Sequence, residues 1–229
     1  MSKKIILLIV EGITEDISLR GILSEIFNDK KIEFCLVRTD ITTREDIKPN
    51  NIKKELGNIV KNFLGRTFRE TDLQEVIHLV DTDGVYIPET NIEKDITLNN
   101  FVYSVDKIKA KDINKVIERN ETKKTNLDVL ISTNEVLKKI PYKVYYLSQN
   151  LEHFFHDKLN CTREEKNKLA QILEDKYIED LNSFLIFVRD SKLKSPDDYS
   201  ESWDYIKKST NSLNRCSNIH IFLKDTRIV

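Results

Sequence analysis

The sequence predicts an α/β fold, a mainly parallel sheet flanked by helices and followed by a helical C-terminal extension. Three observations carry that expectation. The run "IILLIV" (5–10) is aliphatic throughout, the pattern of a strand buried on both faces. Similar apolar runs recur downstream, and the segments between them repeat apolar residues at helical spacing. Alternating strands and helices build a parallel sheet.

Taken in order, the first strand is followed by Thr14 with Glu15 and Asp16 behind it, a helix start with acids at the positive end of the dipole. Ile17, Leu19, Ile22, Leu23, Ile26 and Phe27 supply that helix with an apolar stripe. "IEFCLVR" (32–38) is the second strand, and 51–64 is amphipathic through Ile52, Leu56, Ile59, Val60 and Phe63. "EVIHLVDTDG" (75–84) repeats the opening pattern of apolar strand, acids and glycine. Pro88 marks a loop or excursion, followed by a lysine-rich helix over 105–119 and a second helix over 126–139. Pro141 punctuates before "YKVYYLS" (142–148), another strand, and Asn150 caps a helix beginning "LEHFFHD". From Thr162 the pattern is helical, with Ser195-Pro196 opening the last region.

The 229 residues are enough for one sizeable core, with 39% apolar and 33% charged residues. A net charge of -1 does not advertise nucleic-acid binding, because basic and acidic residues nearly cancel, so any phosphate-binding surface must be local. Cys35, Cys161 and Cys216 are odd in number and widely spaced, against a disulfide scaffold or zinc knuckle and in keeping with a reducing cytoplasm. Lys3 and Lys4 before the apolar run imitate a signal peptide, but the run is short and ends in acids. No stretch approaches the roughly 18 apolar residues that cross a bilayer. The expectation is a cytoplasmic protein.

Two predicted strands release acids at their carboxyl ends, where open parallel sheets bind ligands. Glu11 follows the first, and Asp81 and Asp83 follow the third. Carboxylate oxygens suit hard divalent cations, and D-x-D sets two acids on one turn. Of five glycines, Gly12 and Gly84 directly follow these acids, where tight turns would aim them into a common cleft. The pairing of V-E-G-x-T-E-D with h-h-h-D-x-D-G carries more than either acid alone.

This combination resembles the TOPRIM domain of topoisomerases, primases and several nucleases, a Rossmann-like module. The closer likeness is to its OLD-type nuclease branch, through E-G-x-T-E, and it covers about 3–160. The resemblance implies a metal-binding domain over 1–160 with an insertion near 85–140, and an extension over 161–229. It implies that Glu11, Asp81 and Asp83 form one ligand set, with Glu15 and Glu152 completing a second. The activity implied is hydrolysis of DNA or RNA phosphodiesters with two Mg²⁺ or Mn²⁺ ions about 3.5–4 Å apart. Such nucleases use a basic residue C-terminal to the acids, and Lys207 and Arg215 are the candidates here. The C-terminal stretch also looks similar to TOPRIM-like antiphage (abortive infection) proteins encoded beside an ATPase, which implies a partner ATPase.

Other features have plainer readings. His153 and His156 lack a third ligand, so Leu151, Phe154, Phe155 and Leu159 packing inward is the expectation. Trp203, Ile206 and Leu213 form a buried stripe, and the lysines over 107–124 alternate with acids as on a solvated helix. P-loop, dinucleotide-binding and serine-hydrolase motifs are absent. Two rivals stand beside the nuclease. "HLVDTDGV" also fits a HAD-like phosphatase, although Asp197-Asp198 is a poor second acidic pair without an apolar strand before it. The other rival is a non-catalytic TOPRIM-like module that binds an ATPase partner or nucleic acid.

Overall fold

Alternation assigns every apolar residue of the first strand to one of two cores. In β1 (Lys4–Val10), Ile5, Leu7 and Ile9 face one side of the sheet, and Ile6, Leu8 and Val10 face the other. Burying each of these side chains contributes about 1.5–3 kcal/mol, so β1 is the spine of the sheet. The computed structural model describes residues 4–28, 32–190 and 192–224. Lys3 and the outer ends of the two expected chain segments lie outside the described residues.

α1 (Ile13–Asn28) carries the chain to β2 (Ile32–Arg38), parallel to β1. α2 (Ile52–Leu64) then leads to β3 (Leu73–Asp81), parallel to β1 on its other side. An excursion follows, in which β4 (Ile92–Lys94), β5 (Val102–Tyr103) and β6 (Ile108–Ala110) form a small sheet in the order β4-β6-β5. α3 (Ile113–Ile131) and the short β7 (Glu135–Val136) bring the chain to β8 (Ile140–Leu147), parallel to β3. The main sheet runs β2-β1-β3-β8-β7, with only β7 antiparallel.

α4 (Leu151–His156), α5 (Arg163–Ile178), α6 (Leu181–Val188), α7 (Tyr199–Ile206) and α8 (Ile219–Phe222) complete the described chain. They do not hang apart from the sheet. Trp203 and Ile206 of α7 join the core beneath α2 and α3, where Trp203 meets the Tyr146 ring edge-on at 4.9 Å. Residues of α4, α5, α6 and α8 join the opposite core with α1. The inward packing of Leu151, Phe154 and Phe155 and the burial of Trp203 match the sequence expectation. Among the described residues no helix is long and apolar enough to cross a membrane.

One expectation fails. Two helices were expected over 105–119 and 126–139, and the structure has one, α3. Its start is set by Asp112, whose side chain accepts from Asn114 N, and β6 occupies the stretch before it. No glycine or proline interrupts 113–131, so the polar middle stays helical. Leu137 and Lys138 both take positive φ, +51° and +70°, which no helix could pass through.

β3 buries His78 on the α2/α3 side, with Nδ1 2.8 Å from the Tyr142 hydroxyl and no partner on Nε2 among the described residues. Burial pushes its pKa down to about 4, with Asp40 favouring and Lys123 opposing the charged ring. The unfolded chain protonates near 6.5, so the contribution of His78 is complete above that pH and is lost as pH falls towards 4. Urea unfolding at pH 7 and pH 5 should show His78→Gln losing about 2 kcal/mol less over that interval than the parent. Equal losses would place the acid sensitivity elsewhere.

Candidate active site

Strand order reverses between β1 and β3, since β2 lies outside one and β8 outside the other. Such a reversal opens a crevice at the carboxyl ends of the strands. All four parallel strands of the main sheet deliver an acid there. Glu11 follows β1, Asp40 stands two residues beyond β2, Asp81 ends β3 with Asp83 behind it, and Glu152 lies in the first turn of α4 after β8.

Thr82 sets the D-x-D geometry. It is fully buried, donates from N to Leu147 O at 3.0 Å and from Oγ1 to Ser212 O at 2.8 Å, and accepts from Gln149 N at 2.8 Å. With this side chain turned inward, Asp81 and Asp83 flank it. Asp83 N donates to Gln149 O at 2.9 Å, and left-handed backbone at Asp83 (φ +48°) and Gly84 (φ +67°) turns the chain away.

The centre of the site is a lysine. On α3, Val116, Asn120, Lys123, Leu127 and Leu130 form the buried stripe, and Lys123 is 0% exposed. Its Nζ donates to Glu11 Oε1 at 3.0 Å, to Glu11 Oε2 at 3.1 Å and to Asp83 Oδ2 at 2.5 Å. Asp40 lies close enough to feel the same charge and is held by Thr42 N and Oγ1, at 2.7 and 2.8 Å, and by Thr43. Thr42 Oγ1 is also 3.1 Å from Glu11 Oε1. Arg119 Nη2 donates to Asp83 O at 2.9 Å and Nη1 to the Tyr103 hydroxyl at 2.6 Å.

Burial opposes the charge on each of these groups, and the ammonium decides which keep it. Against burial, Lys123 and then Arg119 hold the Asp83 carboxyl below its usual range. Against burial again, Lys123 and the hydrogen bonds from Thr43 and Thr42 do the same for Asp40. Glu11 goes the other way. Burial raises it more than Lys123 lowers it, and Asp40 and Asp83 raise it further. The shorter contact to Asp83 explains the split, because one ammonium cannot neutralise three acids. Burial would lower Lys123, but Asp83 and Glu11 keep it charged and raise it above its ordinary value.

Beyond Asp81 the acids have less support. Glu15, 5% exposed in the first turn of α1, folds over Gly12, and its Oε2 has no hydrogen-bond partner among the described residues. Glu152 is 1% exposed and neither oxygen has a hydrogen-bond partner among the described residues, though Lys166 Nζ of α5 lies 3.1 Å from Oε2 as an ion pair. Burial raises Asp81 well above its usual range, with Glu15 the strongest of the acids adding to it, then Glu11 and Asp83. Glu15 is raised by burial and then by Glu152. Orphaned carboxylate oxygens under mutual repulsion fit a hard cation. Among the described residues no three His, Cys, Asp or Glu side chains form a ready metal-binding group.

Comparison with protein-family models, curated proteins and solved structures finds no match. The case therefore rests on the residues themselves. Glu11, Asp81, Asp83, Glu15 and Glu152 all reach the crevice. The two basic residues named from sequence are held elsewhere. Lys207 Nζ pairs with Asp128 at 2.6 Å, and Arg215 donates to Phe154 O at 2.8 Å and Phe155 O at 3.2 Å, closing the end of α4. Sequence reading missed Lys123, Asp40, Arg119 and Lys166. The 107–124 lysines were read as solvated, yet Lys123 stands at a core position of the stripe. That spacing, and an acid just past the second strand in "VRTDITT", were the available signals. Lys166 left none, because only the packing of α5 brings it to Glu152.

Gly84 closes the turn beneath Leu213. A Cβ there would lie 2.5 Å from Leu213 Cδ2 at a φ of +67°. Gly84→Ala should cost about 1–3 kcal/mol in urea unfolding. Unchanged stability would show that this turn relaxes freely.

Proposed function

We propose that the protein is a divalent-cation-dependent nuclease that hydrolyses phosphodiester bonds in DNA or RNA. One observation carries the reading. Carboxylates from the ends of four parallel strands meet in one crevice with Glu15 of α1, and three of these acids, Glu15, Asp81 and Glu152, share too little positive charge. Asp81, Glu15 and Glu152 are the residues that would hold Mg²⁺ or Mn²⁺, beside Glu11 and Asp83, which meet Lys123. The ion would polarise the phosphate and lower the pKa of a bound water. In the reaction the water oxygen bonds to phosphorus as the bond to a sugar oxygen breaks. Lys166, with 36% of its side chain exposed, is placed to offer positive charge to the phosphate, and Arg119 steadies Asp83 through its carbonyl.

The phosphatase reading fares worse. Asp197 pairs with Lys194 and is 64% exposed, while Asp198 caps α7 by accepting from Glu201 N. Neither aspartate joins the acids at the strand ends, so the second acidic pair that this chemistry needs is missing from the site. A module that binds nucleic acid without cutting keeps one observation in its favour, the pairing of Glu11 and Asp83 with an internal ammonium.

The test is cleavage of labelled DNA and RNA with Mg²⁺, with Mn²⁺ and with EDTA. Cleavage should require the metal, and Asp81→Asn should lower its rate on the order of 10²-fold or more, since even outer-shell partners of a metal typically cost 10–100-fold. Absence of metal-dependent cleavage on both polymers, with binding intact, would replace the nuclease with the binding module.

A further inference from the structure

We infer that the Lys123 ammonium takes the place of one of two cations, so that this site works with a single divalent ion held on the Asp81, Glu15 and Glu152 side. The inference deepens the cation-dependent reading above and rests on it. Its ground is what already lies between Glu11 and Asp83. Lys123 Nζ is 2.5–3.1 Å from three oxygens of those two carboxylates. A Mg²⁺ ion sits about 2.0–2.1 Å from its oxygen ligands. Placed among the same three oxygens, it would share a few ångströms with a like charge on a fully buried lysine, where repulsion is less screened than in bulk water. The ammonium and a second ion are alternatives.

Nothing nearby lets the lysine step aside easily. Its stem occupies a core position of α3 between Asn120 and Leu127, and its side chain is 0% exposed. Two further contacts pin that stretch of α3. Asn126 Nδ2 donates to Thr42 O at 3.0 Å and Ile47 O at 3.2 Å, and Arg119 grips the Asp83 carbonyl. Withdrawing the ammonium would take it from its carboxylate partners and leave Glu11 and Asp83 without the charge they share.

The other half of the crevice is the reverse case. Among the described residues Glu15 Oε2 has no hydrogen-bond partner, and Glu152 forms its ion pair with Lys166, which reaches in from the rim. Both acids are more than nine-tenths buried; Glu15 adds to the charge around Asp81, and Glu152 adds to that around Glu15. Here a cation would relieve repulsion instead of creating it. The structure therefore divides the labour of two ions between a fixed ammonium and one exchangeable ion.

The experiment counts bound Mn²⁺ per chain from the electron paramagnetic resonance signal of free Mn²⁺ during titration. The parent protein should bind one ion, and Lys123→Met, confirmed folded by circular dichroism, should bind two. In parallel, Asp81→Asn should weaken the bound ion by about 10–100-fold, whereas Asp83→Asn should keep one ion per chain. Two ions in the parent, or one in folded Lys123→Met, would overturn the inference and leave the nuclease standing. Should Lys123→Met fail to fold, the parent count and the aspartate pair still decide, and loss of the ion in Asp83→Asn but not Asp81→Asn counts against it. A parent that binds no Mn²⁺ removes the cation-dependent reading itself.

Discussion

Glu11, Asp83 and Asp40 would repel one another at the end of the sheet, and burial would magnify that repulsion, were it not for one ammonium among them. Lys123 reaches them from a helix in the excursion between β3 and β8, not from the strands that carry the acids. Desolvating a lysine is expensive, and it is tolerated only where carboxylates repay the cost. Here three do, two of them by direct hydrogen bonds. The position of α3 against the sheet, the conformation of the loop after β2 and the turn after β3 all follow from keeping that charge matched. Asn126, Arg119 and Thr42 are the polar struts that hold those three pieces together.

The strands were legible because their chemistry is local. A run such as 5–10, apolar at every position, has no alternative in water to a doubly covered strand, and an acid at its end is visible in the same few letters. The acids at β1 and β3 could therefore be paired on paper, and the sheet places those strands side by side. What escaped notice depends on distance in the chain. A lysine in a charged helix looks solvated until its register with Val116 and Leu130 is recognised, and Asp40 looks like any loop acid until the strand order brings it beside Glu11. The break in helical pattern near 137 was invisible for another reason. Positive φ at Leu137 and Lys138 is imposed by the turn into β8, and neither residue type announces it.

The C-terminal helices illustrate a different kind of dependence. They supply no acid to the crevice, yet Ser212 receives the Thr82 hydroxyl and Arg215 closes the helix that carries Glu152. Leu213 also roofs Gly84. The turn bearing Asp81 and Asp83 is thus shaped from behind by residues 130 positions later in the chain. Conserving charge in that stretch matters less than its main-chain path, and that is why a reading based on basic residues singled out Lys207 and Arg215 for catalysis while the structure shows them making supporting contacts.

An electrostatic asymmetry remains as the organising fact of the site. On one side an ammonium at a core position of α3 already holds Asp83 and Asp40 charged, while Glu11 beside them stays raised. On the other side the balance is incomplete, since Lys166 is partly exposed and answers only part of the charge on Glu152, Glu15 and Asp81. A protein that only needed to neutralise its acids could have used a second buried lysine. Leaving Glu15 Oε2 without a hydrogen-bond partner among the described residues costs stability, and such a cost is characteristic of positions where a ligand, not the fold, completes the interaction. The incomplete half of the crevice is therefore the half to which chemistry can be assigned, and the complete half is the frame that holds it in place.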